Sequence, residues 1–218
     1  MDLQNQMKKA VAQAAVDQIQ NGMILGLGSG STAALMIEAL AIKIKSGEIK
    51  DVVGVTTSFQ GEVLASELGI PLKSLSSVSE IDLAIDGADE VDPKFQLIKG
   101  GGAALLREKI VAQQSSAMVV VADDRKKVDV LGAFPLPIEV TQFAYLTTVR
   151  ELSSLMNCHV SIRMEEHKPL VTDNGNYIAD AQTGPSILNP VNLENQILQI
   201  AGVVQVGLFN NMCDAVVL

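Results

Sequence analysis

One stretch decides the fold of this chain, and its sequence is Met23-Ile24-Leu25-Gly26-Leu27-Gly28-Ser29-Gly30-Ser31-Thr32. The apolar residues from Met23 to Gly28 predict a short buried strand, and the pattern from about Thr32 to Lys45 predicts a helix. Glycines let the backbone turn tightly between the two, and a helix that follows such a turn presents unpaired amides to an anion. The stretch therefore predicts a strand–loop–helix unit that binds phosphate. Hydroxyl groups that merely cap the helix are the alternative.

The residues on both sides of this unit continue the alternation of strands and helices. Further strands are predicted at Asp51–Thr57, Ile81–Ile85 and Ala117–Ala122, with a short one near Pro71–Leu75. Helices are predicted at Met1–Gln20, after Ser58 as far as Leu68, and at Ala103–Gln114. Strands that alternate with helices indicate right-handed crossovers and a largely parallel sheet. We therefore expect an α/β fold with a Rossmann-like domain.

The pattern changes after Val130. The string Phe134-Pro135-Leu136-Pro137 is typical of a linker, because each proline bars the residue before it from a helix. The pair Asn174-Gly175 predicts a hairpin, because both residues tolerate positive φ. We expect a second, smaller α+β domain over residues 131–204. The first domain would contain residues 1–130 and about 205–218, so that the last residues return to the first sheet.

Composition and charge exclude several classes of protein. The net charge of −9 argues against nucleic-acid binding, which depends on Lys and Arg that neutralise phosphates. No apolar run approaches the roughly 20 residues that a membrane span needs. The two cysteines, Cys158 and Cys213, have neither redox nor zinc spacing, so a reducing cytoplasm is the simplest compartment. A small phosphorylated ligand is still compatible with this charge, since a few local cations and amides can hold one phosphate.

An acidic motif, Asp86-Gly87-Ala88-Asp89, follows the predicted strand at Ile81–Ile85. Two carboxylates three residues apart on a tight loop can face one pocket and bind neighbouring sugar hydroxyls. Crowded carboxylates also suit proton transfer near neutral pH, because one of them is pushed toward the protonated form. A Mg²⁺ site and a simple acidic turn are the alternatives.

A glycine run, Lys99-Gly100-Gly101-Gly102, precedes the predicted helix that carries Glu108. Successive glycines permit a row of amides that point the same way and stabilise an oxyanion or a phosphate. Lys99 would stand at the entrance as a point charge. Glu108 lies between Arg107 and Lys109, so a solvated helix face is the alternative for its side chain.

A basic cluster, Asp123-Asp124-Arg125-Lys126-Lys127, follows the apolar strand at Ala117–Ala122. Such a cluster at a strand end can anchor a phosphate, and a solvent-facing run of charges is the alternative. Because ligands bind at the carboxyl ends of parallel strands, we expect the polar segments to converge in space.

The following strings occur in order along the chain: Gly28-Ser29-Gly30-Ser31-Thr32, Asp86-Gly87-Ala88-Asp89-Glu90, Lys99-Gly100-Gly101-Gly102-Ala103-Ala104, Arg107-Glu108-Lys109, Phe134-Pro135-Leu136-Pro137, Val171-Thr172-Asp173-Asn174-Gly175-Asn176, Gly202-Val203-Val204 and Gly207-Leu208-Phe209. With them, the chain resembles the ribose-5-phosphate isomerase type A family over nearly its whole length. The combination of the acidic motif with the glycine run is highly specific. Arg125 departs from the family, which often has a small hydroxylated residue there, and Leu218 lies short of the usual C-terminal strand and tail.

The resemblance implies a homodimeric aldose–ketose isomerase of the pentose phosphate pathway. It would interconvert D-ribose 5-phosphate and D-ribulose 5-phosphate through a cis-enediolate, without a metal or another cofactor. Glu108 would be the general base, Asp86 would assist ring opening, and Lys99 would steady developing negative charge. Lys8 more weakly matches a phosphate contact. The implied substrate-binding residues are Ser29, Gly30, Ser31, Thr32, Asp86, Gly87, Ala88, Asp89, Lys99, Gly100, Gly101, Gly102 and Lys126.

Three other functions are weighed against this one. A non-catalytic sugar-phosphate sensor would keep the phosphate loop but could lose Glu108, and it would normally carry a DNA-binding domain. An NAD-dependent oxidoreductase is disfavoured because the second predicted strand ends in Thr57 and Ser58, without the acidic residue that binds a ribose hydroxyl. A coenzyme A transferase would ordinarily be longer and would leave the acidic motif unexplained.

Overall fold

The computed structural model describes residues 3–218. Of the helix predicted at Met1–Gln20, residues Met1 and Asp2 lie outside the described residues, and the helix ends at Val16. The described α-helices are α1 (Leu3–Val16), α2 (Gly30–Ser46), α3 (Phe59–Glu67), α4 (Leu105–Gln113), α5 (Tyr145–Met156) and α6 (Pro190–Leu198). Short 3₁₀ helices span Leu75–Ser77 and Asp124–Lys126. Each helix within residues 3–218 is too short or too polar to cross a bilayer.

The strands alternate with these helices in the first half of the chain and dominate the second half. In chain order they are β1 (Ile24–Leu27), β2 (Val53–Thr56), β3 (Leu83–Gly87), β4 (Glu90–Val91), β5 (Leu97–Ile98), β6 (Met118–Val121), β7 (Leu136–Val140), β8 (Val160–Ile162), β9 (Met164–Glu165), β10 (Lys168–Pro169), β11 (Tyr177–Ala181), β12 (Val203–Val206), β13 (Leu208–Phe209) and β14 (Ala215–Val217).

A parallel sheet in the order β14-β6-β3-β1-β2 forms the centre of the first compact unit, which contains, of the described residues, 3–88, 107–126 and 212–218. Every neighbouring pair of strands in it is parallel. Aliphatic side chains fill its core, among them Leu25, Leu40 and Ile85. The prediction of a Rossmann-like, largely parallel sheet is therefore confirmed. The last strand, β14, pairs with β6, as expected for residues that return to the first sheet.

Helix α4 packs on this sheet at a glycine. A Cβ atom on Gly26 of β1 would lie 2.7 Å from Val111 Cγ1 of α4 and 3.0 Å from Ala84 Cβ of β3. The absence of a side chain at residue 26 therefore lets α4 approach the strand closely. This approach fixes the height of the helix above the sheet, and with it the position of Glu108, one turn earlier.

The second compact unit contains residues 89–106 and 127–211. Its main sheet is antiparallel, in the order β12-β7-β11-β8, and α5 and α6 contribute to its core. Smaller antiparallel sheets, β13-β5-β4 and β10-β9, complete it. The prediction of an α+β second domain is confirmed, while the predicted division into 1–130 plus about 205–218 and 131–204 stays a prediction. In the structure, residues 89–106 and 205–211 group with the second unit.

Two local predictions are wrong. The linker predicted at Phe134–Pro137 ends earlier, because Leu136 already begins β7, a buried strand inside the antiparallel sheet that also contains Pro137. A proline is tolerated there because it lies near the start of the strand, and its carbonyl accepts a hydrogen bond from Gly207 N. The strand predicted near Pro71–Leu75 is reduced to one bridge between Leu72 and Gly54.

The Asn174-Gly175 hairpin signal is located correctly, but only Gly175 adopts positive φ, at 76°. Gly175 N donates to Thr172 O, so the tight turn begins at Thr172. Beneath the turn lies Glu139 of β7, which is 0% exposed. Its Oε1 atom accepts hydrogen bonds from Thr172 Oγ1 at 2.9 Å, Asn174 Nδ2 at 3.2 Å and Asn176 Nδ2 at 2.9 Å. A single buried carboxylate thus ties the turn to the central strand.

We predict that Glu139→Ala lowers the free energy of unfolding by about 3 kcal/mol, because it leaves the buried Thr172 hydroxyl and the amides of Asn174 and Asn176 without their acceptor. Urea unfolding followed by circular dichroism measures the change. Glu165→Ala, at an exposed position of β9, is the matched control and should stay within about 0.5 kcal/mol of the wild type. A loss below 1 kcal/mol at residue 139 would contradict the anchoring role of its carboxylate.

Candidate active site

The ends of β1 and β3 meet at Gly28, the residue directly after β1. Gly28 N donates to Ile85 O, and a Cβ atom on Gly28 would lie 2.1 Å from Asp86 Oδ1. Asp86 is only 3% exposed, and its Oδ1 atom accepts hydrogen bonds from Ser29 N at 3.1 Å and Gly87 N at 2.7 Å. The carboxylate therefore sits directly over the glycine, held by backbone amides of both strand ends.

Glu108 lies on the first turn of α4 and is 5% exposed, so the alternative of a solvated helix face is wrong. Ser29 Oγ donates to Glu108 Oε1 at 2.5 Å. The adjacent Arg107 takes another direction, with its guanidinium carbon 4.2 Å from the centroid of the Phe59 ring. Ser29 thus links Glu108, which it binds through its hydroxyl, to Asp86, which it binds through its amide. A carboxylate that is buried but hydrogen-bonded in this way is suited to accept and return a proton.

The glycine loop lines a pocket of about 280 Å³ at the start of two helices, α2 and α3. Ser29 is the N-cap residue of α2 but makes no capping bond with its side chain, because its hydroxyl is turned toward Glu108. Ser58 caps α3 by accepting a hydrogen bond from Gly61 N at 3.1 Å. Helix N-termini carry partial positive charge and attract anions, so the pocket is suited to a phosphate group. Ser58 and Gln60 also line it, and the only sequence signal for them was a serine ahead of a helix.

Two lysines of the first unit match substrate contacts of the resembled family, Lys126 as a substrate-binding residue and Lys8 more weakly as a phosphate contact. Lys8 of α1 extends to the glycine loop, where its Nζ atom lies 2.7 Å from Ser31 Oγ. Lys126 ends the 3₁₀ helix after β6 and is half-buried. The contact of Lys8 places a cation at the first turn of α2, next to Thr32.

In the second unit, the glycine run binds the second carboxylate of the acidic motif. Asp89 Oδ2 accepts a hydrogen bond from Gly101 N at 2.7 Å, and a Cβ atom on Gly101 would lie 2.6 Å from Asp89 Oδ1. Gly100 has a φ of 106°, and its carbonyl accepts from Ala103 N, which closes the turn. Glycines are therefore required here both for the backbone conformation and for the close approach of the carboxylate.

Lys99 is buried, 2% exposed, and does not stand at an entrance as the sequence suggested. Its amide donates to Gly207 O at 2.9 Å, which joins β5 to the chain ahead of β13. Its Nζ atom lies 5.4 Å from the centroid of the Phe209 ring, within the range of a cation–π contact. The ammonium group of Lys99 thus lies against an aromatic face in the protein interior. Because the dielectric constant there is lower than in water, its charge interacts more strongly with an anion.

The structure brings the predicted residues together as two groups. In the first unit, Ser29 is hydrogen-bonded both to Asp86 and to Glu108. Asp89 and the glycine run form the corresponding group in the second unit. Within residues 3–218, no three or more His, Cys, Asp or Glu side chains are grouped so that they could hold a metal ion. This arrangement provides carboxylates that can transfer a proton or bind hydroxyl groups, and backbone amides that can donate hydrogen bonds.

Arg125, which departs from the resembled family, folds back onto Asp123 at the end of β6. Its Nε atom lies 2.9 Å from Asp123 Oδ1, and its Nη2 atom lies 2.9 Å from Asp123 Oδ2. This bidentate pair, together with the Arg125 amide, holds the pKa of the Asp123 carboxyl below its ordinary value of 3.8. The pair shapes the turn that carries Lys126, whose amide donates to Asp123 O.

We predict that Asp123 contributes stability that depends on pH. Because its pKa is lowered by folding, the contribution is present above pH 3.8 and is lost as the pH falls through the lowered value. Asp123→Asn should therefore be less stable than the wild type near pH 7, and the difference should shrink below pH 3.8. Urea unfolding from pH 7 to pH 3 measures it, with Asp124→Asn as a control for the loss of one charge. A difference that is constant across this range would contradict the assignment.

The family model for ribose 5-phosphate isomerase A (phosphoriboisomerase A) matches residues 53–218. A ribose-5-phosphate isomerase A of Prochlorococcus marinus (strain NATL1A) is 66% identical over 219 residues, which cover 99% of this chain and 92% of the relative. One of Synechococcus sp. (strain CC9605) is 57% identical over 218 residues, which cover 99% and 91%.

Solved structures agree with these relatives. A D-ribose-5-phosphate isomerase in complex with phospho-erythronic acid is 44% identical and superposes with a TM-score of 0.95, covering 100% of this chain and 96% of that chain. The ribose 5-phosphate isomerase from Plasmodium falciparum is 40% identical with a TM-score of 0.94, covering 97% and 94%. The match extends over both compact units. The chain therefore belongs to the ribose 5-phosphate isomerase A family.

Proposed function

We propose that this chain interconverts D-ribose 5-phosphate and D-ribulose 5-phosphate through a cis-enediolate, with Glu108 as the general base. The observation that carries the assignment of the base is the burial of Glu108 beside Asp86, with Ser29 bound to both carboxylates. The reaction itself is that of the relatives, which are named ribose-5-phosphate isomerase A at up to 66% identity over 99% of this chain. Those relatives do not favour a non-catalytic sensor.

The reaction needs one group that moves a proton between adjacent carbons. In the forward direction Glu108 removes the proton from C2 of the open-chain aldose, and the C1 carbonyl becomes an enediolate. The same carboxyl group then returns the proton to C1, and the proton of the C2 hydroxyl passes to the oxygen on C1. C2 thereby becomes the ketone, and C1 becomes a hydroxymethyl group. A general base of this kind typically contributes about 10²–10⁴-fold to the rate, so the stabilisation of the enediolate must supply much of the remainder.

The other carboxylates and the glycine run have complementary roles. Asp86 assists opening of the furanose ring, and Asp86 and Asp89 bind sugar hydroxyls. The support for Asp86 is that its carboxylate is held in a fixed position over Gly28. Lys99 and the amides of the glycine run stabilise the negative charge of the enediolate. The support for Lys99 is its burial, which strengthens the interaction of its ammonium with an anion. Gly87 and Ala88, on the chain between the two carboxylates, contribute backbone contacts.

The phosphate of the substrate binds the glycine loop, Ser29–Thr32, with Lys126. Two helix N-termini at one pocket support this assignment, and Lys8 adds a cation at its edge. The related isomerase that was solved with phospho-erythronic acid binds a compound that also has a phosphate group. A homodimer in the cytoplasm completes the proposal. Cys158 and Cys213 form no disulfide within residues 3–218, which is compatible with a reducing compartment.

We predict that Glu108→Gln lowers kcat by about 10²-fold or more, because the amide keeps the size of the side chain but cannot accept the proton. Steady-state conversion of ribose 5-phosphate measures the change. Ser29 Oγ can still donate to the amide oxygen, so the substrate KM should change little. Glu67→Gln, at an exposed position of α3, is the matched control. A variant that retains more than roughly half of the wild-type kcat would exclude Glu108 as the base.

We predict that Thr32→Ala and Lys126→Ala raise the KM for ribose 5-phosphate by about tenfold, with kcat nearly unchanged, since phosphate contacts persist from substrate to transition state. Lys127→Ala, which removes the exposed neighbouring lysine, is the control. Free ribose should be a very poor substrate in the same assay. Equal turnover of ribose and its phosphate would contradict the assignment of the loop.

A further inference from the structure

Arg163, between β8 and β9, binds the glycine run from within the second unit. Its Nη1 atom donates to Gly100 O at 3.0 Å and to Gly101 O at 2.9 Å. The rest of the guanidinium is bound to Asp180 of β11, with Nε 2.8 Å from Oδ2 and Nη2 2.5 Å from Oδ1. One side chain therefore holds two successive peptide carbonyls and is itself held by a carboxylate.

The orientation of these carbonyls determines where the neighbouring amides point. A peptide group is planar, and in the trans form its N–H lies opposite its C=O; no cis peptide occurs in the described residues. The N–H groups of Gly101 and Gly102 belong to the two peptides whose carbonyls face Arg163. Both must therefore point away from the guanidinium. The Gly101 amide does so, because it donates to Asp89 Oδ2 at 2.7 Å.

Arg163 and Asp180 together form a clamp on the glycine run, and this clamp is rigid. The side chains of Arg163 and Asp180 are each 17% exposed, and their bidentate geometry fixes the plane of the guanidinium. Asp180 is itself fixed by strand pairing with Ser161 of β8 and Pro137 of β7. A lysine at residue 163 could keep the charge, but it lacks the planar fork that binds a carboxylate and two carbonyls together.

We propose that Arg163, held by Asp180, is a positioning residue for the isomerase reaction. It fixes the peptide planes of the glycine run, so that the Gly101 amide orients the Asp89 carboxylate and the Gly102 amide faces the opposite side from the guanidinium. This inference rests on the proposed function, in which Asp89 binds sugar hydroxyls and the glycine amides stabilise the enediolate. Arg163 does not touch the reacting atoms in this proposal.

The test compares the full-length wild type with Arg163→Lys, Asp180→Asn and the double variant. Arg163→Lys should lower kcat about tenfold, because a small displacement of preorganised donors weakens transition-state stabilisation. Asp180→Asn should act in the same direction, and the double variant should lose less than the product of the two single effects, because both residues support one clamp. Arg150→Lys, at an exposed position of α5, is the control and should keep the wild-type kcat.

A second measurement separates positioning from general damage to the fold. Inorganic phosphate and phospho-erythronic acid are used as competitive inhibitors of each variant. Arg163→Lys should weaken inhibition by phospho-erythronic acid and leave inhibition by inorganic phosphate unchanged, because the phosphate loop belongs to the first unit. A merely structural defect would weaken both inhibitors together. The melting temperature of each variant is recorded alongside.

The outcomes distinguish this proposal from the proposed function. If the wild type does not convert ribose 5-phosphate, the proposed function fails first. If the wild type is active and Arg163→Lys keeps at least half of its kcat, the proposal for Arg163 alone is overturned. If Arg163→Lys does not fold, Asp180→Asn decides by the same criteria. If neither variant folds, or if both inhibitors weaken equally, Arg163 is a folding residue and the proposal is overturned.

Discussion

The close approach of β1 and β3 at Gly28 is the constraint on which the candidate site depends. A side chain at residue 28 would occupy the space of the Asp86 carboxylate, so the strands can run side by side only with hydrogen at that position. The approach puts Ser29 where its amide binds Asp86 and its hydroxyl binds Glu108. The position of Glu108 in turn depends on a second close approach, that of α4 to Gly26. Two glycines, Gly26 in β1 and Gly28 directly after it, thus determine where the carboxylates of Glu108 and Asp86 lie.

The second unit follows a different principle, in which carboxylates organise the backbone. Asp89 holds the glycine run, Glu139 holds the turn at 172–176, and Glu90 accepts hydrogen bonds from the amides of Gly132 and Phe134. Glu90 and Glu139, which are buried, each accept more than one hydrogen bond, and these bonds offset the cost of removing the carboxylates from water. The loops of this unit are therefore shaped by side chains, whereas the loop after β1 is shaped by glycine.

The sequence was sufficient for the parallel sheet and for the meeting of Ser29 with Asp86, because apolar runs predict buried strands and ligands bind at strand ends. It could not predict the burial of Glu108, since charged neighbours on both sides are typical of a solvated helix and the buried face is chosen by packing at Gly26. Arg163 was missed because it lies 63 and 62 residues from the carbonyls that it binds, and local patterns carry no information about such pairs. At Leu136, which was predicted to lie in a linker, pairing in the sheet extends the strand into the proline-rich string.

The order of strands in the parallel sheet has a consequence for how the chain folds during synthesis. Strand β14 pairs with β6, yet the segment 127–211, which belongs to the other unit, is translated between them. One edge of β6 therefore stays unpaired on the ribosome until that segment has emerged. Unpaired edges of this kind are prone to associate with other chains. Pausing of translation or truncation within the segment 127–211 would prolong this exposure, so that nascent chains interrupted there would depend most on chaperones.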